Sequence, residues 1–346
     1  MTTDFELLNP LAEPEWDDLV AAHPRCSFFH SAAWARVLSN SYGYTPLYLA
    51  AVTDGKLSGL IPFMEIRSPF TGTRGVSLPF ADGCDFFLPE GVSFEQAIQT
   101  VIDVAHSRRW KTFELRGRVP GMETVPAYKE YYCHVLDLSP GEHPLFSRFR
   151  ENVQRNIRKV ERERVTVQED ASPSGLRQFY RLNCITRRRH GLPPQPFRFF
   201  ESLRDHVLSQ AKGMLLLARH EGNCISGAVF LHFKGNVIFK YGASDRRFQH
   251  LRANNLVLWQ GIRHSCSSGF GSLSFGRTDL GQDGLRRFKR SWGCAESRLK
   301  YSRFDVRSRS WCDEKKPSNV PWRSVLTRMP IPVLRALGTV AYRHIA

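Results

Sequence analysis

The sequence predicts an α/β chain of the α+β kind: two tandem copies of one domain, each a mixed and mostly antiparallel sheet flanked by helices. Three observations predict it. One order of elements, hairpin, strand, helix and strand, occurs twice about 165 residues apart. Turn dipeptides punctuate both hairpins at matching places. The 346 residues are 42% hydrophobic and 24% charged, enough apolar surface for two cores and unlike a disordered chain.

The first copy opens with LYLAAVTDGKLSGLIPFMEI from Leu47, where Asp54-Gly55-Lys56 turns the chain and Ser58-Gly59 opens the second strand. A further strand is expected at VSLPFADG from Val76. A helix follows at FEQAIQTVIDVAHSRRW, with Ala97, Val101, Val104 and Ala105 at helical spacing, then a strand at TFELRG from Thr112. The second copy repeats the order. LLLARHEGNCISGAVFLHF runs from Leu215 through the Glu221-Gly222-Asn223 turn to Ser226-Gly227. VIFKYGAS from Val237 is the next strand and NNLVLWQGIRHSCSSG the helix, with Leu256, Trp259, Gln260 and Arg263 alternating apolar and polar faces. SLSFGR from Ser272 closes the copy. The match extends over about 70 residues per copy.

Between the copies, LFSRFRENVQRNIRKVERERV places Phe146, Phe149, Val153, Ile157 and Val160 at intervals of three and four, the pattern of one amphipathic helix. Its other faces carry Arg148, Arg150, Arg155, Arg158, Lys159, Arg162 and Arg164. These form either a solvated surface or a phosphate-contacting one. The expected boundaries are a first domain over 1–140, a second over 141–310 that begins with this basic helix, and a basic, proline-containing tail over 311–346. In the tail, apolar residues from Trp322 to Val340 mix with Arg323, Arg328, Arg335 and Arg343. Such a segment either lies on an anionic membrane surface or packs on the protein's own body. Pro330 and Pro332 interrupt any single long helix there.

Lysine and arginine outnumber aspartate and glutamate by 49 to 33, a formal net charge of +16. That excess favours an anionic partner: nucleic acid, nucleotide phosphate or lipid headgroup. The eight cysteines include no CxxC pair, so neither a structural zinc site nor any other metal site is expected, and reduced thiols are. MTTDFELLNPLAEPEW lacks a basic-then-apolar pattern and no run has the length of a membrane span, so a cytoplasmic protein is expected. No GxxxxGKS, HExxH or GxSxG string occurs, which removes P-loop NTPases, HExxH metalloproteases and common serine esterases.

The string from Tyr241 to Gly293 resembles the most recognisable block of the FemAB-type branch of the GNAT acyltransferase superfamily. A strand ending Tyr-Gly leads through a loop and helix to a strand ending Phe-Gly, and then to Phe288-Lys289-Arg290-Ser291-Trp292-Gly293. The Pro79-Phe-Ala-Asp-Gly83 string and the linker NVQRNIRKVERERV also look like the family, so the resemblance covers roughly residues 15 to 305. It implies two GNAT-like domains and N-acyl transfer: an acyl or aminoacyl group passing from acyl-CoA or aminoacyl-tRNA to an amine of a peptidoglycan, exopolysaccharide or other envelope precursor. No tightly bound cofactor is implied, only the donor as co-substrate.

Amide formation from an activated ester needs an anchor for the donor's phosphates and a counter to charge developing at the carbonyl. By resemblance Lys289 supplies the second. Its competing role is a surface lysine among Arg286, Arg287 and Arg290. The loop Asp245 to Arg252 precedes a helix starting near Asn254, where helix N–H groups favour a phosphate. Arg246, Arg247, Arg252 and Asn254 are therefore donor-binding candidates, with Arg277 and Arg290 beyond them. Acyl-CoA-binding GNATs read Gln/Arg-x-x-Gly-x-Gly/Ala here. This chain lacks those glycines, which counts against coenzyme A and toward a tRNA-borne donor or a lost site. Asp279 is a candidate general base or the cap of a turn, and Tyr241 either orients the acceptor or packs. Two other functions stay open: an RNA- or nucleic-acid-binding protein, and a non-catalytic scaffold for envelope polysaccharide assembly. Peripheral contact with the inner membrane face is a further expectation, and the oligomeric state is left undetermined.

Overall fold

A computed structural model describes residues 5–117, 121–313 and 322–345. In chain order the elements are β1 (Glu6–Leu8), α1 (Trp16–Ala22), α2 (Ala32–Tyr42), β2 (Thr45–Thr53), β3 (Lys56–Ser68), β4 (Gly72–Val76), α3 (Phe94–Ser107), β5 (Thr112–Arg116), β6 (Lys129–Asp137), α4 (Glu142–Arg148) and α5 (Glu151–Arg162). There follow β7 (Thr166–Glu169), α6 (Pro173–Arg189), α7 (Phe197–His206), β8 (Gly213–His220), β9 (Asn223–Phe233), β10 (Asn236–Ser244), α8 (Ala253–Ser267), β11 (Ser272–Asp279), α9 (Asp283–Ser291), β12 (Ala295–Asp305), β13 (Ser310–Trp311), α10 (Trp322–Arg328) and α11 (Ile331–Ala341).

These elements gather into two compact units. One holds the chain through Tyr131, the stretch from Arg298 that carries most of β12, and the residues from Val340; the other holds Tyr132–Ser297 and the segment ending at Thr339. The units are not contiguous in sequence. Most of β6, which follows the first copy, belongs to the second unit, and most of β12, which follows the second copy, belongs to the first.

The two copies share their topology. In the first unit β2 and β3 pair antiparallel, β3 and β4 antiparallel, and β4 and β5 parallel. In the second, β8 and β9, β9 and β10, and β10 and β11 repeat that sequence of senses. The agreement reaches an irregularity. A bulge falls between Ala51 and Val52 in one hairpin and between Ala218 and Arg219 in the other, the same distance ahead of the turn. Both turns hold two successive residues at positive φ, Asp54-Gly55 and Glu221-Gly222, which suits the twist of a two-residue hairpin.

Local chemistry sets the helix ends. The Ser93 hydroxyl accepts from the Gln96 N–H, and the Gln96 side chain accepts from the Ser93 N–H, so α3 starts on a reciprocal cap. Ser172 caps α6 in the same position, ahead of Pro173. Helix α8 lies against β9 because Gly261 leaves room for the Phe230 ring; a Cβ there would sit 2.2 Å from the ring edge. Around this contact Leu256, Ile262, Phe275 and Trp292 form part of the second unit's core, while Phe63, Val101, Trp110 and Phe113 anchor that of the first.

Two expectations need correction. The basic linker is not one helix but α4 and α5, broken where Phe149 takes an extended conformation (φ −65°, ψ 148°). The break lets the Arg150 N–H reach the Ser291 carbonyl at 3.0 Å and seats the Phe149 ring edge-on against Trp259 and Trp292. Three long-range contacts outweigh one unbroken turn. Nor is VSLPFADG a strand. β4 ends at Val76, and Leu78 and Phe80 adopt positive φ, so the apolar run buries Leu78 and Ala81 through turns.

In the first unit Glu114 is buried between two arginines, 2.7 Å from Arg116 and 2.6 Å from Arg303. Burial alone would raise its carboxyl. The charges of Arg116 and Arg303 and the hydrogen bonds they donate outweigh burial and bring the group down to about 2. A carboxyl lowered on folding gives stability that is complete above its ordinary value of 4.5 and is lost as pH falls toward 2. Urea unfolding should therefore lose up to about 3 kcal/mol over that window from this group. Glu114→Gln should flatten that part of the profile, and an unchanged acid slope in the variant would show that other carboxylates dominate it.

Candidate active site

The site lies past the end of β10, at the start of α8. β10 and β11 pair in parallel only from Asn236↔Ser272 to Ile238↔Ser274, and β10 then bulges between Phe239 and Tyr241. Beyond the bulge β10 stays with β9, and a cleft of about 310 Å³ lies in front of the α8 N-terminus.

Each wall has its own supplier. From α5 come Asn152 and Asn156, one turn apart and away from the buried Val153 and Ile157; from the end of α6 comes Arg189; from α9 come Phe288 and Ser291. The loop after β10 contributes Arg246, Gln249 and Arg252, and the start of α8 contributes Asn254. A second cavity of about 210 Å³ shares Arg189, Ser226, Asn254 and Phe288 with the first and continues onto Ala228, Phe239, Val257 and Leu258. One end is thus cationic and amide-rich, and the other apolar.

The loop is tightly organised. Asp245 takes up Arg247: its carboxylate accepts from Arg247 Nη2 at 2.7 Å, from Nε and from the Arg247 N–H, and these bonds hold the carboxyl below its ordinary value. Arg247 is thereby turned onto its own neighbour and does not line the cleft. Asp245 is the one carboxylate in the lining, and it is already neutralised, so Arg189, Arg246 and Arg252 leave the cleft positive. Residues Arg246–Leu251 form a 3₁₀ turn, after which Arg252 itself adopts the left-handed conformation (φ 61°) that opens α8. No side chain caps α8, whose first turn faces the cleft through Ala253, Asn254 and Asn255. Asn254 is fixed by Ser226 Oγ, which donates to its Oδ1 at 2.6 Å, and by its own Nδ2, which donates to Ser244 Oγ at 3.2 Å.

The Phe288-to-Gly293 string divides its labour. Phe288 lines the cleft. Trp292 is fully buried against Phe149, Phe275 and Phe288, and Gly293 ends α9 at φ 77°. Lys289 points elsewhere: it is 4% exposed, and its Nζ donates to the carbonyls of Gly276 at 2.9 Å and Arg277 at 3.0 Å, fastening α9 to the end of β11. It lines neither cavity.

The remaining candidates disperse. Asp279 is exposed at the end of β11, and its carbonyl accepts from the Gln282 N–H in a turn. Tyr241 packs edge-on against Phe199 and Phe200 of α7. Arg290 is exposed on α9, and Arg277 enters through its carbonyl on Lys289. The structure therefore gathers Arg246, Arg252 and Asn254, and keeps Arg247, Asp279, Tyr241 and Arg290 out of the lining. Sequence reasoning missed Arg189, Asn152 and Asn156. The Asn-x-x-x-Asn spacing on the polar side of an amphipathic helix was their available signal. It also missed His134, buried in β6, which sits 3.0 Å from Glu296 through Nε2 and has no partner at Nδ1. Burial, then the charge of Lys289, lowers the His134 pKa and favours neutral imidazole. Among the described residues no group of His, Cys, Asp and Glu could hold a metal ion.

Residues 147–290, which hold all of the cleft lining except Ser291, match the family model described as an acetyltransferase (GNAT) domain. No curated protein sequence matches the chain at a significant level. Among solved structures, FemX superposes with a TM-score of 0.67 at 15% identity, covering 82% of this chain and 94% of that one. L-PGS from Bacillus licheniformis gives 0.54 at 14% identity, covering 96% and 99%. A tandem GNAT protein from the clavulanic acid biosynthesis pathway gives 0.55 at 10%, covering 88% and 98%. With the repeated topology, these findings show a GNAT acetyltransferase domain at residues 147–290 and, over most of the chain, the fold of FemX.

Proposed function

We propose that this protein is an N-acyltransferase that takes an acyl or aminoacyl group from an anionic donor, acyl-CoA or aminoacyl-tRNA, to an amine of a cell-envelope or exopolysaccharide precursor. The observation that carries this is the cationic cleft in front of α8, bounded by Arg189, Arg246 and Arg252 and facing an uncapped helix start. Helix N–H groups and guanidinium groups together suit a phosphate-bearing donor. The apolar continuation onto Phe239, Val257 and Leu258 suits the group being transferred.

In this scheme the arginines bind the donor, Asn254 and the α8 N-terminus orient it, and Lys289 holds α9, with Phe288 and Ser291 on the cleft wall, against β11. The amine attacks the donor's carbonyl carbon, the carbon–oxygen or carbon–sulfur bond to the carrier breaks, and the amine's proton passes to the leaving group or to water. The loop supports a tRNA-borne donor over coenzyme A. Where a glycine-rich loop brings backbone N–H groups onto a diphosphate, this chain has a 3₁₀ turn of large residues, with side-chain guanidinium groups outermost. The exposed arginines of α5, on the same wall as Asn152 and Asn156, extend the basic surface.

Calorimetric titration with acetyl-CoA, a long-chain acyl-CoA and aminoacyl-tRNA tests the proposal. Aminoacyl-tRNA should bind at micromolar concentration or below, and more tightly than its deacylated form. Failure of all three donors to bind would overturn the transferase assignment. Binding of charged and uncharged tRNA with equal affinity and no turnover would replace it by RNA binding.

A further inference from the structure

Another cavity in the second unit, of about 280 Å³, shares no lining residue with the cleft or its apolar continuation. Three helices enclose it. Arg177, Tyr180, Arg181 and Cys184 come from α6 at positions i, i+3, i+4 and i+7, so they share one face. Phe197 opens α7, and Ile331 and Arg335, about one turn apart, come from α11. All of these residues belong to the same compact unit.

The walls are held in place. The Tyr180 hydroxyl donates to the Gln195 carbonyl at 3.2 Å, and its ring packs on Phe197 with centroids 4.9 Å apart. Arg187 Nε donates to the Pro193 carbonyl at 3.2 Å, which ties the loop between α6 and α7 to the end of α6. On α11 Leu334 and Gly338 are buried, and a Cβ on Gly338 would meet the Pro194 carbonyl oxygen of that loop. Helix α11 therefore packs on the body of its unit, and this packing closes the third side of the cavity.

Floor and rim differ in chemistry. Tyr180 and Cys184 are buried, and burial raises both, Tyr180 to about 12, so they stay neutral. With Phe197 and Ile331 they make an apolar floor. The three arginines are exposed at the rim. Arg181 donates one N–H to the Cys224 carbonyl at 2.8 Å, and the Arg335 guanidinium lies over the Tyr180 ring at 5.2 Å. These contacts fix two of the three without neutralising either. The described lining residues include no carboxylate, and Asp245, on which Arg181 also acts, is held by Arg247. Arg177 and Arg181, four apart on one helix, repel each other, and Arg335 brings a third positive charge to the same cavity. An anion relieves that repulsion, and an apolar floor beneath it favours an anion with an apolar body.

We infer that this cavity binds a small amphipathic anion: a carboxylate or phosphate held by Arg177, Arg181 and Arg335, on a short aliphatic or aromatic body that lies against Tyr180, Phe197 and Ile331. The volume is near the lower end for small-ligand sites, which sets the body as short. This inference does not depend on the transfer reaction.

The test is calorimetric titration of the full chain with octanoate, octyl phosphate, octanol and inorganic phosphate. At least one of the octyl anions should bind with a Kd of about 1 mM or below, and octanol and inorganic phosphate about ten-fold more weakly or worse. The tighter of the two octyl anions identifies the headgroup. Arg177→Ala and Arg335→Ala should each weaken its binding by about ten-fold. Arg198→Ala, at an exposed arginine of α7 outside the lining, should leave it within about two-fold, as should Arg246→Ala and Arg252→Ala combined in the cleft. Arg177 is exposed, so its variant should keep the parental melting temperature and still report if removing Arg335 loosens α11. The inference fails if neither octyl anion binds, or if octanol or inorganic phosphate binds as tightly as they do. It fails equally if Arg177→Ala and Arg335→Ala bind like the parent. An equal loss from Arg198→Ala, or from the cleft pair, would assign binding to diffuse charge or to the cleft and overturn it as well.

Discussion

Replacing Arg246 and Arg252 together by alanine should weaken donor binding by 10²-fold or more at low ionic strength, while Arg247→Ala should change it by no more than about three-fold. All three arginines stand within seven residues in one loop, and in sequence they are equivalent. Structure separates them. Arg247 is held on both oxygens of Asp245, whereas Arg246 and Arg252 line a cleft whose one carboxylate is already neutralised. A hydrogen bond to a charged group contributes about 1.5–3 kcal/mol, and neighbouring contacts to one ligand are not strictly additive, so two of them set the scale above. A salt titration adds a second readout. The double variant should lower the slope of log affinity against log salt by about two, and Arg247→Ala should not alter it. Equal losses from Arg247→Ala and from the double variant would mean that the loop supplies a diffuse field and not a site.

The same contrast shows where sequence reasoning runs out. The repeat was legible because it rests on covalent periodicities: two hairpins with turn residues at matching offsets, an alternating strand after each, and a helix whose apolar residues recur every three or four positions. Those patterns predict β2 to β5 and β8 to β11 as the structure has them, apart from the placement of β4. They fail where long-range contacts override local preference. Phe149 looks like one more member of an amphipathic series, but Trp259 and Trp292, both distant in sequence, draw its ring in and break the helix. The site was half legible for a related reason. Arg246 and Arg252 on one short loop and Asn254 at the start of the helix that follows lie within nine residues, so sequence proximity gathers them. Arg189, Asn152, Asn156 and Phe288 come from three other elements, and only the fold brings them to the same cleft. Asp279 marks the end of β11 as expected, whereas β10 runs on past Tyr241 to Ser244; the direction of a side chain at either place follows from the bulge in β10 and the turn after β11, and neither is encoded by residue type.

Lys289→Ala should cost about 3 kcal/mol of stability and, in the folded fraction, lower acyl transfer by at least 10²-fold. The first part follows from its surroundings. Its ammonium is buried and donates to the carbonyls of Gly276 and Arg277, so truncation leaves two buried acceptors without those donors and a void beneath α9. The second part follows from location: Lys289 fastens α9 to β11, and α9 carries Phe288 and Ser291 on the cleft wall. Losing the brace frees that wall. Lys289 is thus a positioning residue, and kinetics can distinguish that from direct charge stabilisation. Lys289→Arg keeps a cation and donors; if position is what matters, it should recover most of the stability and a substantial part of kcat. Lys289→Met fills the space without donors and should recover neither fully. The His134 imidazole adds a further readout, since burial and then the Lys289 charge lower its pKa. Removing that charge should move the His134 titration, followed by NMR of the ring protons, to higher pH. A Lys289→Ala protein with parental stability, an unmoved His134 titration and no turnover would transfer the lysine from the brace to the reacting centre.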